Sequence, residues 1–208
     1  MKLQDLTLKQ FLERTAANEA IPGGGSSSAL NGAISSALAG MMANLTIGKK
    51  NYTDVEEQMK KIVEEMGENR THFINDIDRD ADAYSLVMDA YKLPKETDEQ
   101  KKLRSEKIQE AMKIASLIPM EVAERAYGMI GTIIETIRKG NKNAVTDGMV
   151  GLMACRTGIM GALLNVRTNL GGINDTVFVA ELREKCDRIE KETLMKESEM
   201  IEWVKSVI

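Results

Sequence analysis

Residues 22–28 read PGGGSSS, and an uncharged segment continues directly from them through Ala29 to Thr46. Consecutive glycines let a ligand approach the main chain closely, because they carry no Cβ atom. The serines that follow suit an N-cap, and the first N–H groups of a helix are free to bind an anionic or carbonyl group. We therefore predict a binding loop at residues 22–28 that leads into a buried central helix. A flexible connection between two helices would give the same pattern.

Small side chains recur at helical spacing in this central helix and again in a segment near residues 144–170. The first stripe comprises Ala29, Gly32, Ala33, Ser36, Gly40 and Ala43; the second comprises Ala144, Gly148, Gly151, Cys155, Gly158, Ala162 and Asn165. Helices that cross closely need small residues at the contact, whatever the protein does. The two stripes therefore indicate close helix packing, within one protomer or across a dimer, and carry no information about chemistry.

Length and composition favour a helical fold. The 208 residues are enough for one domain with a sizeable core, and only three of them are proline. Aromatic residues make up 4% of the chain and methionine is frequent, which is unusual for a β-sandwich or barrel. We expect an all-α protein, a multi-helical bundle of long, closely packed helices that forms a single domain over residues 1–208.

Charge and cysteine content narrow the partners and the compartment. The net charge of −4 argues against non-specific nucleic-acid binding. Cys155 and Cys186 stand alone without metal-ligand spacing, as expected of reduced thiols in a cytoplasmic protein. The uncharged segment that ends at Gly48 is too rich in Gly, Ser and Asn for a membrane span, so we predict no membrane association.

Capping patterns and prolines set the predicted helix boundaries. Capping boxes are formed by Thr7 with Gln10, Thr53 with Glu56, and Thr97 with Gln100. Helices are accordingly predicted over about 8–17, 53–91, 97–139, 144–170 and 175–207, in addition to the central one. Pro119 lacks an N–H group and is expected to kink or break the helix that contains it, near Ile118.

One carboxylate falls on the apolar face of the helix predicted over residues 53–91. Asp80 follows Ile77 by three residues and precedes Tyr84 by four, so the three side chains share a face. Burial raises the pKa of a carboxyl group, which suits it for proton transfer near neutral pH. A structural aspartate that pairs with an arginine or a helix terminus would look the same, so both roles stay open.

Three further aspartates lie close to Asp80 in the sequence. Asp76 is near the same helix face and is a second candidate for a buried acid. Asp78 and Asp82 each lie two residues from Asp80, point elsewhere on the helix, and are expected to be solvated.

The segment over residues 144–170 has polar residues at both ends. Asn143 and Asp147 are four residues apart and share a helix face, although Asn143 also suits an N-cap. At the far end Arg167 lies between Asn165 and Asn169, where it suits either a ligand carboxylate or a structural acid.

Taken together, these pieces resemble one known family. They are PGGGS at 22–26, MANLT at 42–46, DADAY at 80–84, GNKN at 140–143 with Thr146-Asp147, and NVRTNL at 165–170. In this order they are similar to the cyclodeaminase/cyclohydrolase family, which includes the C-terminal domain of formiminotransferase-cyclodeaminase and bacterial methenyltetrahydrofolate cyclohydrolases. The pair Gly171-Gly172 departs from the family pattern.

The resemblance implies an all-helical homodimer that acts on a tetrahydrofolate derivative without a metal or cofactor. It implies that Asp80 is the catalytic acid/base. Beside it we assign Asp147 to the catalytic set, where it orients water or binds the pterin. Substrate-binding roles are predicted for Pro22, Gly23, Gly24, Gly25, Ser26, Asn44, Asn143, Asn165 and Arg167. Lys49 and Lys50 are alternatives to Arg167 for the glutamate tail.

The expected reaction is hydrolysis of 5,10-methenyltetrahydrofolate to 10-formyltetrahydrofolate. The alternative is cyclodeamination of 5-formiminotetrahydrofolate with release of ammonia, which passes through the same one-carbon centre. We prefer hydrolysis because the chain has no fused transferase domain to supply a formimino group. A non-catalytic folate-binding protein, or a helical interaction protein, is a further alternative.

Overall fold

The computed structural model describes residues 1–208 and contains six α-helices and no strands. The helices are α1 (Leu8–Thr15), α2 (Gly24–Asn44), α3 (Glu56–Tyr91), α4 (Asp98–Lys139), α5 (Val145–Leu170) and α6 (Thr176–Val207). Short 3-10 helices occupy Leu3–Asp5, Lys50–Tyr52 and Lys142–Ala144. The predicted all-α, single-domain fold is confirmed.

Helices α2 to α5 form a four-helix bundle in which each packs against the next and α5 packs back against α2. Arg79 of α3 contacts Glu121 of α4, while Glu65 contacts Thr132, so these two helices run antiparallel. Helix α6 covers α5 and part of α4. Long antiparallel helices with short connections are the usual geometry of such bundles.

Two of the three predicted capping boxes are present. In the boxes that start α1 and α4, Thr7 and Thr97 each accept a hydrogen bond from the main-chain N–H three residues later. The box predicted at Thr53 is wrong, because α3 begins at Glu56. Its N-cap is Val55, whose side chain makes no capping hydrogen bond. The Glu56 carboxylate instead accepts a hydrogen bond from the Gly48 N–H (3.3 Å).

The glycine run is a helix start rather than a loop. Helix α2 begins at Gly24 with Gly23 as its N-cap, so the predicted boundary at Ala29 is wrong. The serines lie inside the helix and do not cap it. Ser28 Oγ donates to the Gly24 carbonyl oxygen (2.7 Å), a bond that serines make within helices. The first-turn N–H groups of α2 are consequently contributed by glycines.

Pro119 does not break α4, which is helical from Asp98 to Lys139. A proline inside a helix leaves the carbonyl oxygen four residues earlier without its donor. Here that carbonyl belongs to Ala115, and Asn169 Nδ2 of α5 donates to it at 2.6 Å. The asparagine thus replaces the missing hydrogen bond and ties α4 to α5.

Both small-residue stripes serve helix contacts within the protomer. A Cβ atom at Gly32 would lie 2.7 Å from the ring of Phe73, and one at Gly158 would lie 2.9 Å from the Ser28 carbonyl oxygen. One helical stretch, Lys142–Leu170, is long and apolar enough to cross a membrane, and half of its most apolar window is buried in the protein. That burial is the packing of α5 against α2, α4 and α6.

Candidate functional site

A cavity of about 300 Å³ lies where the start of α2 meets α3, α4 and the end of α5. Its polar lining consists of Asp80, Asn165, Thr168, Asn169 and the main chain of the three glycines. Its apolar lining consists of Ala20, Ile21, Ala83, Tyr84, Val87 and Ala115. A largely apolar concave site with a few convergent polar groups is the usual form of a small-molecule site.

Gly25 lets the main chain of α2 pass directly over the Asp80 carboxylate. A Cβ atom at position 25 would lie 1.9 Å from Asp80 Oδ1 and 2.4 Å from Cγ. These distances leave no room for any side chain, so the contact requires glycine. At the neighbouring position, a Cβ atom on Gly24 would lie 3.3 Å from Asn165 Nδ2. The two glycines therefore bring the first turn of α2 against both polar walls of the cavity.

The environment of Asp80 stabilises its protonated form relative to an aspartate in solvent. Burial raises the pKa of this carboxyl group above its ordinary value of 3.8. The Ser26 hydroxyl and main-chain N–H both donate to the carboxylate and partly oppose the rise in pKa. No basic side chain contributes to the shift. Asp80 is thus a half-buried acid without a cationic partner. Of the two structural alternatives that the sequence left open, the arginine pair is absent, whereas the contact with a helix terminus is present through the Ser26 N–H in the first turn of α2.

The Ser26 hydroxyl stands between two acceptors. Its Oγ lies 3.0 Å from Asp80 Oδ2 and 3.0 Å from the Ile77 carbonyl oxygen. A hydroxyl has one hydrogen to donate and two lone pairs that accept. It therefore donates to an ionised Asp80, and it accepts from a protonated Asp80 while it donates to Ile77. Both charge states of the acid are satisfied without movement of the backbone.

Asn165 and Asn169 present carboxamides from α5. Asn165 Nδ2 donates to the Gly161 carbonyl oxygen (2.8 Å), and Asn165 Oδ1 accepts no hydrogen bond from the protein. Asn169 Nδ2 is held by the Ala115 carbonyl oxygen described above. The free oxygen of Asn165 and the first-turn N–H groups of Gly24 and Gly25 together offer one acceptor and two donors to a ligand.

Two of the three aspartates near Asp80 have structural roles. Asp76 is buried and pairs with Arg79 (2.6 Å), so its charge is compensated. Asp78 is not simply solvated as predicted, because its carboxylate accepts from the main-chain N–H groups of Leu3 (2.6 Å) and Gln4 (3.3 Å). Asp82 is exposed, as predicted.

A second group of sequence-predicted residues lies at the opposite end of the bundle. Asn44 is the last residue of α2, Asp147 lies in the first turn of α5, and Asn143 precedes it in a 3-10 helix. Asp147 and Asn165 are 18 residues apart on one helix, roughly 27 Å at the standard rise. Asn143 is not an N-cap, since Ala144 holds that position. None of the three lines the Asp80 cavity of its own protomer.

Arg167 and Pro22 are also occupied elsewhere. The Arg167 guanidinium contacts the Asp187 carboxylate (2.8 Å) and the Glu190 carboxylate (2.5 Å) of α6, so two acids already balance its charge. Pro22 is buried beside the lining residues without lining the cavity itself. Lys49 and Lys50 follow the far end of α2, away from Asp80.

Sequence reasoning assigned no substrate-binding role to four residues that line the cavity, namely Tyr84, Val87, Ala115 and Thr168. The role of Asn169 could have been anticipated from Pro119. A proline inside a helix leaves the carbonyl oxygen four residues earlier without a donor, and a side chain such as that of Asn169 can supply one. The structure contains no group of three or more His, Cys, Asp or Glu side chains with the geometry to hold a metal ion.

Comparison with known proteins gives consistent matches. The family described as formiminotransferase-cyclodeaminase matches residues 7–188. A methenyltetrahydrofolate cyclohydrolase from Methylorubrum extorquens is 36% identical over 202 residues, which is 97% of each chain. The formimidoyltransferase-cyclodeaminase of Rattus norvegicus is 30% identical over 190 residues, 91% of this chain and 35% of the longer rat protein.

One solved structure has the same fold. The crystal structure of a formiminotetrahydrofolate cyclodeaminase from Thermotoga maritima superimposes with a TM-score of 0.81 at 30% sequence identity. The match covers 99% of this chain and 97% of the other. The fold is therefore shared with a protein of similar length.

Proposed function

The chain belongs to the formiminotransferase-cyclodeaminase family, and from this membership we propose that it hydrolyses 5,10-methenyltetrahydrofolate to 10-formyltetrahydrofolate. The observation that carries the proposal is the half-buried Asp80 with a raised pKa and no cationic partner, held against the main chain of Gly25. Such an acid suits a substrate whose reacting carbon lies in a cationic amidinium, because the ionised carboxylate supplies the compensating charge.

In the proposed reaction Asp80 moves one proton twice. Water attacks the methenyl carbon, and Asp80 accepts a proton from that water as the tetrahedral intermediate forms. The bond from this carbon to N5 then breaks, Asp80 returns its proton to N5, and the remaining hydroxyl proton is lost to solvent as the formyl group forms. A carboxyl group with a raised pKa serves both transfers.

The surrounding groups orient the reaction. When Asp80 becomes protonated, the Ser26 hydroxyl changes from donor to acceptor in its hydrogen bond with Asp80, while its Oγ stays in place. The N–H groups of Gly24 and Gly25 bind a pterin carbonyl, and Asn165 Oδ1 accepts a pterin N–H. Tyr84 and Val87 form an apolar wall that excludes excess water.

Cyclodeamination is the second candidate function. The Thermotoga relative, of similar length and without a large additional region, carries that name. Hydrolysis is preferred because the full-length Methylorubrum relative, with the higher identity, is named as a cyclohydrolase. In cyclodeamination the same Asp80 would protonate the departing ammonia instead of N5.

Parallel assays decide between the two reactions. Purified protein is given 5,10-methenyltetrahydrofolate and, separately, 5-formiminotetrahydrofolate, and the absorbance of the methenyl compound is followed in each case. We expect loss of the methenyl absorbance above the spontaneous rate in the first assay. Formation of methenyl compound with release of ammonia in the second assay, and no effect in the first, would overturn the assignment.

The outer face of α2 and α5 favours a homodimer. Its exposed apolar residues are Ile34, Met41, Leu45, Val150, Met153 and Leu164. The α2 side carries no charge, and the two arginines of α5 are paired with acids of α6. Exposed apolar residues that share one face are typical of protein–protein interfaces, and the uncharged α2 side meets a second copy without like-charge repulsion.

The dimer also gives a role to Asn44, Asn143 and Asp147, which lie at the opposite end of the bundle from Asp80. If the two-fold axis is perpendicular to α2 and α5, the Asp147 end of one copy lies beside the Asp80 end of the other. In that arrangement we retain the predicted roles of Asn44, Asn143 and Asp147 toward the substrate.

The test of the dimer is its mass in sedimentation velocity. We expect a dimer for the wild type and a monomer for Val150→Glu, whose side chain is 54% exposed. The matched control is Leu117→Glu on α4, where the leucine is 39% exposed away from this face. A monomeric wild type, or a dimer that survives Val150→Glu, would contradict the proposed interface.

A further inference from the structure

Two exposed tyrosines continue the wall of the Asp80 cavity along α3. Tyr84 lines the cavity and is 41% exposed, and Tyr91 is 46% exposed seven residues further on. Residues seven apart lie on the same face of a helix, and Val87 lies between them on that face. The chain has only four tyrosines, so half of them are exposed on one strip beside the candidate site.

Arg104 of α4 closes the far end of this strip. Its guanidinium carbon lies 5.5 Å from the centre of the Tyr91 ring, and its Nε and Nη2 donate to the Tyr91 carbonyl oxygen at 3.2 and 3.0 Å. Arginine has five N–H donors, so the remaining ones are unused. No carboxylate of the protein pairs with this guanidinium. It is therefore a positioned cation with free donors.

We propose that this strip, from Tyr84 to Tyr91 and Arg104, binds the p-aminobenzoylglutamate arm of the folate substrate; the inference rests on the proposed function. The arm leaves the one-carbon bridge as an aromatic ring and ends in carboxylates, and the strip offers aromatic side chains followed by a cation in the same order. Tyrosine rings pack against flat aromatic groups, and an arginine fork binds a carboxylate through two parallel hydrogen bonds.

The strip also has the right scale and the right charge. Asp80 and Tyr91 are 11 residues apart on α3, roughly 16 Å along the helix axis. Within one protomer, the cations first considered for the tail are less suitable: Arg167 is neutralised by two acids, and Lys49 and Lys50 follow the opposite end of α2. Arg104 thus replaces them as the predicted contact of the glutamate carboxylates.

The test compares substrates with and without the glutamate. The wild type is assayed with 5,10-methenyltetrahydrofolate and with the corresponding tetrahydropteroate, which lacks glutamate, and the ratio of the two kcat/KM values is taken as the tail preference. We expect the wild type to have a clearly higher kcat/KM for the glutamylated form, mainly because its KM for that form is lower. Arg104→Gln should reduce the preference about tenfold, the usual effect of losing a charge-assisted hydrogen bond.

Arg183→Gln is the matched control, because Arg183 is an exposed arginine of α6 that makes no hydrogen bond, and it should keep the wild-type preference. Tyr91→Leu should reduce the preference in the same direction as Arg104→Gln. In case Arg104→Gln is poorly folded, the wild-type KM of the glutamylated substrate should rise with salt, while that of the tetrahydropteroate stays level.

The outcomes separate this inference from the proposed function. A wild type that turns over both forms with equal kcat/KM, or an Arg104→Gln protein with an unchanged preference, would overturn the tail site alone. A wild type that turns over neither form would overturn the proposed function itself.

Discussion

The main chain at Gly25 passes so close to the Asp80 carboxylate that a Cβ atom on Gly25 would lie 1.9 Å from Asp80 Oδ1. The buried face of α3 and the first turn of α2 meet at this point. The position of the carboxylate is therefore fixed from two sides, by its own helix and by the main chain that passes over it.

Gly25→Ala should displace the Asp80 carboxylate and lower turnover by roughly a hundredfold, the usual cost of a misplacement of about 1 Å at a reacting centre. The control is Gly67→Ala in the middle of α3, where an added Cβ atom meets nothing within 4 Å. Gly67→Ala should keep its turnover and gain about 0.5–1 kcal/mol in the free energy of unfolding. Equal turnover of both variants would show that the close contact is irrelevant to activity.

Ser26→Ala should shift the pH dependence of the reaction. The Ser26 hydroxyl lowers the pKa of Asp80, so its removal raises that pKa further. Since ionised Asp80 is the base, the acid limb of the pH–rate profile should move to higher pH. The control is Ser27→Ala, at the adjacent position where the side chain makes no hydrogen bond to Asp80. A limb that stays in place in Ser26→Ala would remove Ser26 from the proton-transfer scheme.

Asn169→Ala should destabilise the protein through Pro119. The variant leaves the Ala115 carbonyl oxygen without a donor, at a cost of about 1–3 kcal/mol in the free energy of unfolding. Pro119→Ala restores the N–H group that this carbonyl lacks. In the Pro119→Ala background, the same asparagine change should therefore cost clearly less, which urea unfolding of the four proteins measures as a coupling energy. Additive effects would contradict the compensation described here.

Ionisation of Asp80 should lower the free energy of unfolding as the pH rises. Its folded-state pKa is raised, so the native state binds more protons than the unfolded chain once pH exceeds the ordinary carboxyl value of 3.8. Stability is then lost as pH rises from that value through the raised pKa. Asp80→Asn cannot ionise, so its stability relative to the wild type should improve from acid to neutral pH in urea unfolding. An unchanged difference would mean that burial does not perturb the acid.

Helical periodicity was sufficient to find Asp80 and the long helices, because a buried face imposes its spacing on the sequence. It failed at helix α2, where the glycines were predicted to form a loop. Contiguous glycines have poor helix propensity, but the close approach of the first turn of α2 to Asp80 leaves no room for a Cβ atom at position 25. Tertiary packing overrode local preference at this point.

The composition of the cavity was harder to predict than the fold. Asp147 and Asn165 were both predicted to contact the substrate, yet they lie at opposite ends of α5 and only Asn165 lines the cavity. Arg167 was a candidate for a ligand carboxylate, and its acids come from α6, which the sequence could not place. Pairings between distant helices depend on the bundle topology, and a single sequence does not reveal them.

The most direct test of the account is the turnover of Asp80→Asn, followed by the absorbance of 5,10-methenyltetrahydrofolate, with Asp82→Asn as the control. Asp82 is an exposed aspartate two residues away, so its variant should retain wild-type turnover. We predict that Asp80→Asn loses about 10²–10⁴-fold in kcat, the contribution of a positioned general acid/base, while it keeps its helical content and still unfolds cooperatively. A folded Asp80→Asn protein that turns over the substrate near the wild-type rate would contradict the central claim.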